Sequence, residues 1–400
     1  MKWEFERMGE VFKVTSGGTP NRKKEYYFNN GTIPWVKTGD LKGKFAKSPP
    51  EFITQEALKN SSAKIFPKET VLLAMYGATI GACSILPFEA ATNQACAALL
   101  PSAKCDSEYL YYYLLSIKND LIKKGVGGAQ PNISGGIIKD TKIPLPPLAT
   151  QKKIAAILDA ADAHRQKTRQ LLAKYDELAQ SIFLEMFGDP VTNPKGWEVK
   201  KMKEITSKIM SGNTPKGGKE VYVENGILFI RSQNVWRNKL DLGDVAFIDE
   251  ETHNKMCRSS LRKGDILMTK TGRFNTENSS LGRAAMFKGK DNSANVNGHV
   301  YFMRPKPGVN GDFVLYILTT IQYREYIRRI CVGGIDKRQL NKDHLEDFPI
   351  IYPKKVFQDS FTEKLKLINQ QKELLEKENL HSNDLFNGLL QKAFKGELVS

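Results

Sequence analysis

The chain has 400 residues, 40% hydrophobic and 26% charged, enough to bury two or three cores and too balanced for a disordered chain or a disulfide-stapled peptide. Its net charge of +16 is distributed: residues 1–200 carry 27 Lys+Arg against 20 Asp+Glu, and residues 201–400 carry 33 against 24. Such a field serves a polyanion or only solubility, and composition alone leaves both open.

The opening MKWEFERMGEVF places acidic residues where a signal peptide needs an apolar stretch, so secretion is not expected. A Gly-rich turn follows, Ser16-Gly17-Gly18-Thr19-Pro20, and then the short strand pattern IPWV. Thr70 to Phe88 carries no charge over nineteen residues, but its glycines, proline and β-branched residues suit buried strands. VLLAMYG and ACAALL read as strands, and SEYLYYYLLSIKNDLIKKG reads as helical. From Thr150 to Phe187 there is no Gly or Pro. There Ile154, Leu158, Ala161, Arg165, Thr168, Leu172, Tyr175, Ala179, Ile182 and Met186 follow a 4-3-4-3 spacing, a heptad seam.

The chain then repeats itself at an offset near 195. Trp3-Glu4 matches Trp197-Glu198, SGGTP (16–20) matches SGNTP (211–215), and IPWVKTGDL (33–41) lies over ILFIRSQNV (227–235). Further on Gly81 pairs with Gly282, Asn93 with Asn297 and Gly127-Gly128 with Gly333-Gly334, all in order. The counterpart of the uncharged segment contains Lys270, Arg273, Glu277 and Arg283, which excludes a membrane span for that element. ILMTKTG and VYFMRP repeat the strands, and DFVLYILTTIQYREYIRRI repeats the helical stretch. After Pro353 the heptad seam returns as Phe361, Leu365, Ile368, Lys372, Leu375, Asn379, Ser382, Phe386, Leu389 and Ala393.

The fold class is therefore mixed, α+β: two duplicated α/β globules and two long helices. The expected divisions are 1–147, 148–188, 189–353 and 354–400, with Gly188 and Gly396 closing the helices. A helix of nearly forty residues is roughly 55–60 Å long, and one apolar stripe on it needs a partner. The obvious solution packs the helices on each other, through the seam residues Ile154, Leu158, Leu172, Tyr175 and Ile182 of one and Phe361, Leu365, Ile368, Leu375 and Leu389 of the other. Periodicity alone leaves such a pair as a passive spacer or as a ruler between two surfaces, since DNA repeats its groove every ~34 Å.

Catalytic constellations are missing from the sequence. It contains no phosphate loop, no H-E-x-x-H, no G-x-S-x-G and no Pro-Asp dipeptide, and its five histidines are scattered. Ser48-Pro49-Pro50-Glu51 ends in Glu where a base-flipping methyltransferase needs an aromatic. The five cysteines form no C-x-x-C pair and suit reduced core thiols. Neither catalysis nor a metal is expected of this chain.

Donors suited to phosphates and base edges concentrate in three segments per copy. The first holds Ser16, Gly18, Thr19, Arg22 and Lys23, mirrored by Asn213, Thr214 and Lys216, where glycine lets backbone N–H groups approach a phosphate. The second holds Lys37 and Thr38, mirrored by Arg231, Ser232, Gln233 and Asn234. The third holds Tyr76, Thr79, Gln130 and Asn132, mirrored by Lys270, Thr271, Arg273, Asn275, Lys337 and Arg338. Each segment also reads as an ordinary solvated loop.

Taken together, the two Trp-Glu openings, two S-G-x-T-P turns, Y-G-A-T-I-G, G-G-A-Q-P-N-I-S, I-P-L-P-P-L-x-x-Q-x-x-I and F-x-x-M-F-G-D-P resemble the specificity (HsdS-type) subunit of type I restriction–modification systems. The resemblance spans essentially the whole chain. In the second copy GGIDKRQLNKDHL stands where the first has GGAQPNISGGI.

The resemblance implies two target recognition domains, each reading half of a split DNA sequence, with the helices packed as an antiparallel coiled coil that sets the spacer. It implies docking of two modification subunits and of restriction subunits in the cytoplasm, on double-stranded DNA, with no membrane. S-adenosylmethionine, ATP and Mg are then expected on the partner subunits and no cofactor on this chain. The competing expectation is a stand-alone regulatory or structural DNA binder, in which the duplication serves symmetry alone.

Overall fold

The computed structural model describes residues 3–125, 132–273, 279–334 and 337–399. The chain divides into two units, Met1–Gln170 with Leu375–Ser400, and Leu171–Leu374.

In the first unit the predicted strands form an antiparallel sheet in the order Val14–Ser16, Cys96–Leu99, Val71–Ala74, Cys83–Ile85. Val71–Ala74 and Cys83–Ile85 are two buried strands of the uncharged segment, joined through a turn with Gly77 and Gly81 at positive φ. In the second sheet Ile33–Val36 pairs antiparallel with Phe52–Ile53 and parallel with Ala90–Thr92. A short pair, Phe5–Arg7 with Lys142–Pro144, ties the start of the globule to its end.

The second unit repeats this plan. Its antiparallel sheet runs Thr206–Ser211, Val300–Pro305, Ile266–Thr269, Ala284–Met286. Ile227–Ile230 pairs antiparallel with Ala246–Ile248 and parallel with Ala294–Val296, and Val199–Lys201 closes on Pro349–Ile351.

The two helical stretches are each broken once. Ser107–Ser116 is followed by Lys118–Lys124, and Gly311–Thr319 by Ile321–Ile330. In the second copy Thr320 takes an extended backbone, and its hydroxyl accepts from the Tyr323 N–H at 3.3 Å, starting a new helix. The first helices begin on matching caps. The Asp106 carboxylate accepts from Glu108 and Tyr109 N–H at 3.0 Å, and the Asn310 side chain accepts from Phe313 N–H at 2.9 Å.

The long helices are Leu148–Phe187, 40 residues, and Lys355–Lys395, 41 residues. Gly188 and Gly396 follow them at φ 77° and 79°, the left-handed conformation that ends a helix. Gln151 and Gln358 are buried near the helix starts. Gln151 donates to Pro146 and Lys104 carbonyls and accepts from Asp106 N–H, while Gln358 donates to the Pro353 carbonyl at 2.7 Å.

The helices pair antiparallel within each unit. In the first, the Arg165 guanidinium lies 3.9 Å from the Phe386 ring centroid and Arg169 donates to Asn383. In the second, Lys372 pairs with Asp176, and Phe183 packs on Phe361 with centroids 5.3 Å apart. Ile154, Leu158, Phe361 and Ile368 are buried; Leu172, Tyr175, Ile182, Leu365, Leu375 and Leu389 are half-buried. Towards the end of the first helix the stripe widens to include Phe183 and Phe187, which join Phe313 and Phe361 in one aromatic cluster.

Cys83, Cys96, Cys105 and Cys331 are buried free thiols and Cys257 is exposed. Burial pushes the Cys83 and Cys96 thiols up to about 12, so neither is a nucleophile at neutral pH.

The register makes a direct prediction. Phe361→Ala, at a buried seam position, should cost about 3–5 kcal/mol of stability in thermal or denaturant unfolding. Leu367→Ala, at a position 64% exposed, should cost under about 0.5 kcal/mol. Equal losses would contradict the seam.

Candidate nucleic-acid interface

Backbone hydrogen bonds between strand ends carry the three segments of each copy to one place. In the first copy Gly18 N–H donates to Thr92 O at 2.8 Å, Asn93 N–H to Val36 O, Met75 N–H to Ala95 O, and Ile133 N–H to Met75 O. The segments near 18, 36, 75 and 133 therefore meet around residues 92–95. In the second copy Gly212 N–H donates to Val300 O at 3.0 Å, Asn297 N–H to Ile230 O, Lys270 N–H to His299 O, and Leu340 N–H to Lys270 O. The match of Ile133 with Leu340 aligns the divergent stretches: Ser134 and Asn341 both precede a short helix, Gly135–Asp140 and Lys342–Glu346.

The glycines of the first segment do something other than cradle phosphate. A Cβ on Gly17 would stand 2.0 Å from Thr92 O, and one on Gly212 would stand 1.8 Å from Val296 O. The turn lies against the neighbouring strand end, and the Gly18 and Gly212 amides are already spent on the carbonyls named above. Gly18 O also accepts from Trp35 Nε1 at 3.2 Å. Ser16 is half-buried, ending its strand; Thr19 is half-buried and donates from its hydroxyl to Gln94 Oε1. Lys23, Asn213, Thr214 and Lys216 are exposed.

Around the second segment the charges are organised. Arg22 lies 4.8 Å from both the Phe28 and Trp35 rings and 2.7 Å from Glu51, which also pairs with Lys37. Burial alone would raise the Glu51 pKa, but hydrogen bonds from Lys37 and Arg22 outweigh it and hold the carboxyl below its ordinary range. In the second copy Arg231 donates to the Asp244 carboxylate at 3.0 Å and to its carbonyl at 2.7 Å, and Gln233 donates to the same carboxylate at 2.6 Å. Each copy thus holds a strand-end cation on an acid from the segment leading into the neighbouring edge strand. Thr38 and Ser232 are half-buried in the turns that follow.

Those turns share a lock. The Asp40 side chain accepts from Lys37 N–H at 2.8 Å, and that of Asn234 accepts from Arg231 N–H at 2.9 Å. Asn234 is 2% exposed, and its amide donates to the Asp241 and Asp244 carbonyls at 2.9 and 2.8 Å. The expectation that Asn234 reads a base edge is corrected, because every polar atom of its side chain already holds the turn.

In the third segment Tyr76 and Thr79 are half-buried and Asn132 is exposed. Thr271–Gly272 pairs with Arg338–Gln339, which pairs in turn with Val332–Gly333. This ribbon gathers Lys270, Thr271, Arg273, Lys337 and Arg338; Lys270 Nζ lies 5.5 Å from the Tyr301 ring, and Arg338 donates to Arg328 O at 3.4 Å. Gln130 and Asn275 lie outside the described residues.

Sequence reasoning missed the linkers at the centre of each cluster, Asn93-Gln94 and Asn297-Gly298-His299, although the Asn93–Asn297 match was a signal. It also missed the acids Glu51 and Asp244, because attention to basic residues hides their counter-charges. Among the described residues no group of three or more His, Cys, Asp or Glu is placed to hold a metal.

The sequence matches the family model of the type I restriction modification DNA specificity domain over residues 1–174 and 194–380. It is 27% identical to the type I restriction enzyme MjaIX specificity subunit of Methanocaldococcus jannaschii, covering 99% of this chain and 93% of that one. The fold is similar to the type I restriction–modification S subunit of M. genitalium, with TM-score 0.58, 17% identity, and 98% and 96% of the chains covered. It is also similar to a chain from a structure of type I R-M complex assembly and conformational transition, with TM-score 0.60, 18% identity, and 99% and 98% covered.

Replacing Asn234 and Gln233 separately tests the two kinds of turn residue. Asn234→Ala should lower stability by about 1–3 kcal/mol, since it strands buried carbonyls. Gln233→Ala, exposed, should change it by less than about 0.5 kcal/mol. A neutral Asn234→Ala in thermal unfolding would refute the structural role.

Proposed function

The chain belongs to the type I restriction modification DNA specificity family, and we infer from this that it is the non-catalytic subunit that directs such a complex to a bipartite DNA target. In this reading the recognition domains, residues 1–147 and 189–353, each read one half-site. The helices at 148–188 and 354–400 set the spacer and dock the modification subunits. Restriction subunits complete the assembly in the cytoplasm. S-adenosylmethionine, ATP and Mg act on the partners.

One observation carries the reading. The two copies bring the same three segments together, the first by close packing of Gly17 and Gly212 and the other two by equivalent strand-end hydrogen bonds, yet place different donors there: Lys37-Thr38 against Arg231-Ser232-Gln233, and Tyr76 against Thr271. A repeated frame with unlike donors suits two half-sites of different sequence, because base edges are told apart by donor type. In this reading Lys23, Lys216, Arg273 and Lys337 serve phosphates, and the other candidates except Gly18 and Asn234 serve the bases and the register on the duplex.

Docking is supported by apolar groups outside the seam. On the first helix Ile157, Leu171 and Leu178 are exposed at seven-residue multiples, and on the second Leu367 and Leu374 are exposed seven apart. A long helix with a second apolar stripe invites another helix against it. Among the described residues no helix is long and apolar enough to cross a membrane.

Co-expression with the cognate modification subunits, followed by single-molecule methylome sequencing, tests the function. The expected result is adenine methylation confined to one split sequence with a fixed spacer. An active complex that leaves no such motif would overturn the reading.

A further inference from the structure

The second copy contains a cavity rich in arginine. A cavity of about 400 Å³ opens between the Trp236-Arg237 loop, the turn at Ser279–Arg283 and the helix Ile321–Ile330. Arg237, Arg283, Arg324 and Arg328 all line it, and Glu325 is the only carboxylate among its described lining residues. Arg324 and Arg328 sit one turn apart on a single helix face. Arg324 is only 6% exposed, and its guanidinium donates to Gly282 O at 3.3 Å. Arg283 lies 3.9 Å from the Trp236 ring centroid and donates through Nε to Ser279 O at 3.2 Å. Arg328 pairs with Glu325 at 2.7 Å.

Gathering four guanidinium groups around one space costs Coulomb energy and desolvation. The strain shows at Arg324, whose pKa falls to about 10 through burial first and then through the charges of Arg237, Arg328 and Arg283. The duplicated fold does not need the cluster. In the first copy Ala82 follows Gly81 where Arg283 follows Gly282, and Lys42-Gly43 aligns with Trp236-Arg237. Gly81 packs against the Lys118 side chain of the matching helix, where a Cβ on the glycine would stand 2.9 Å from Lys118 Cγ.

The cavity also adjoins the third segment. Ser280 Oγ donates to Thr271 O at 2.8 Å, Ser279 Oγ donates to Arg273 O, and Arg338 of the ribbon donates to Arg328 O. A group held in the cavity therefore lies beside the surface assigned to the second half-site. The planar, always-charged guanidinium suits phosphate oxygens, and the indole walls the space without competing for them.

We propose that the cavity lined by Arg237, Arg324 and Arg328 is a phosphate-binding site that grips a backbone phosphodiester next to the second half-site. It deepens the DNA-recognition reading and rests on it for the source of the phosphate. A free phosphate ion presents the same chemistry, and the experiment separates the two.

The full chain is titrated into a fluorescent 30-base-pair duplex of arbitrary sequence over a salt series, since phosphate contacts do not depend on sequence. Arg237→Gln/Arg328→Gln is compared with Lys290→Gln/Arg329→Gln, a control of equal charge. The cavity variant should reduce the slope of log affinity against log salt by about 1 more than the control, and weaken binding roughly three- to tenfold at 0.1 M salt. In a second arm, thermal unfolding is followed in inorganic phosphate against chloride at matched ionic strength. A phosphate-dependent rise in Tm in the wild type, lost in the cavity variant without any excess effect on duplex binding, would support the site with free phosphate as its ligand and overturn the backbone contact. If the cavity variant matches the control in both arms, there is no phosphate site. A wild-type chain with no salt-dependent duplex binding would instead contradict the recognition reading, leaving the phosphate arm to decide the cavity. Arg324→Lys, which keeps the charge at the buried position, should retain most of the salt slope and confirms that charge rather than misfolding is being measured.

Discussion

Each copy's long helix has more apolar surface than its own globule can cover, and that surplus organises the molecule. The end of the first helix delivers Phe183 and Phe187 to the unit formed by Leu171–Leu374, where Phe313 and Phe361 enclose them. The end of the second helix delivers Phe386, Leu390 and Ala393 to the other unit, among Tyr109, Tyr112 and Leu158. Neither core is complete without helix from the other copy. The duplication is thus an exchange, in which the antiparallel seam is a condition for folding both globules. Aromatic burial of this kind is worth several kcal/mol per ring, far more than the ion pair Lys372–Asp176 along the same seam.

The site inherits its geometry from strand ends. Close packing of Gly17 against Thr92 and of Gly212 against Val296 fixes the first segment of each copy against the second sheet. The Asp40 and Asn234 side chains then lock the turns that display the second. Function is free to vary only in what projects from this frame. Acidic partners, Glu51 in one copy and Asp244 in the other, hold Arg22, Lys37 and Arg231 in defined positions rather than leaving them as mobile charges. Such preorganisation lowers the entropy lost in any contact these cations make.

Much of this frame was legible in the sequence because it follows from periodicity. Alternation in VLLAMYG and VYFMRP marked strands, the 4-3-4-3 spacing marked the seam, and the repeat transferred each reading from one copy to the other. What periodicity cannot see is how local polar groups compete with the backbone. Thr320 breaks a stretch that reads as one helix because its hydroxyl caps the next one. Asn234 looked like a base reader because residue type says nothing about burial. Gly18 looked like a phosphate nest because only the structure reveals that its amide is already taken. The arginine cavity was equally hidden, since Arg237, Arg283 and Arg324 are far apart in the chain and meet only through the fold.

The central claim is that two independent readers share one frame, and exchange of a single reader tests it most directly. Residues 1–145 are replaced by the equivalent segment of another member of the family, and the methylated sequence of the assembled complex is determined. One half-site should change, while the other half-site and the spacer stay as they were. A change in both half-sites would contradict the account.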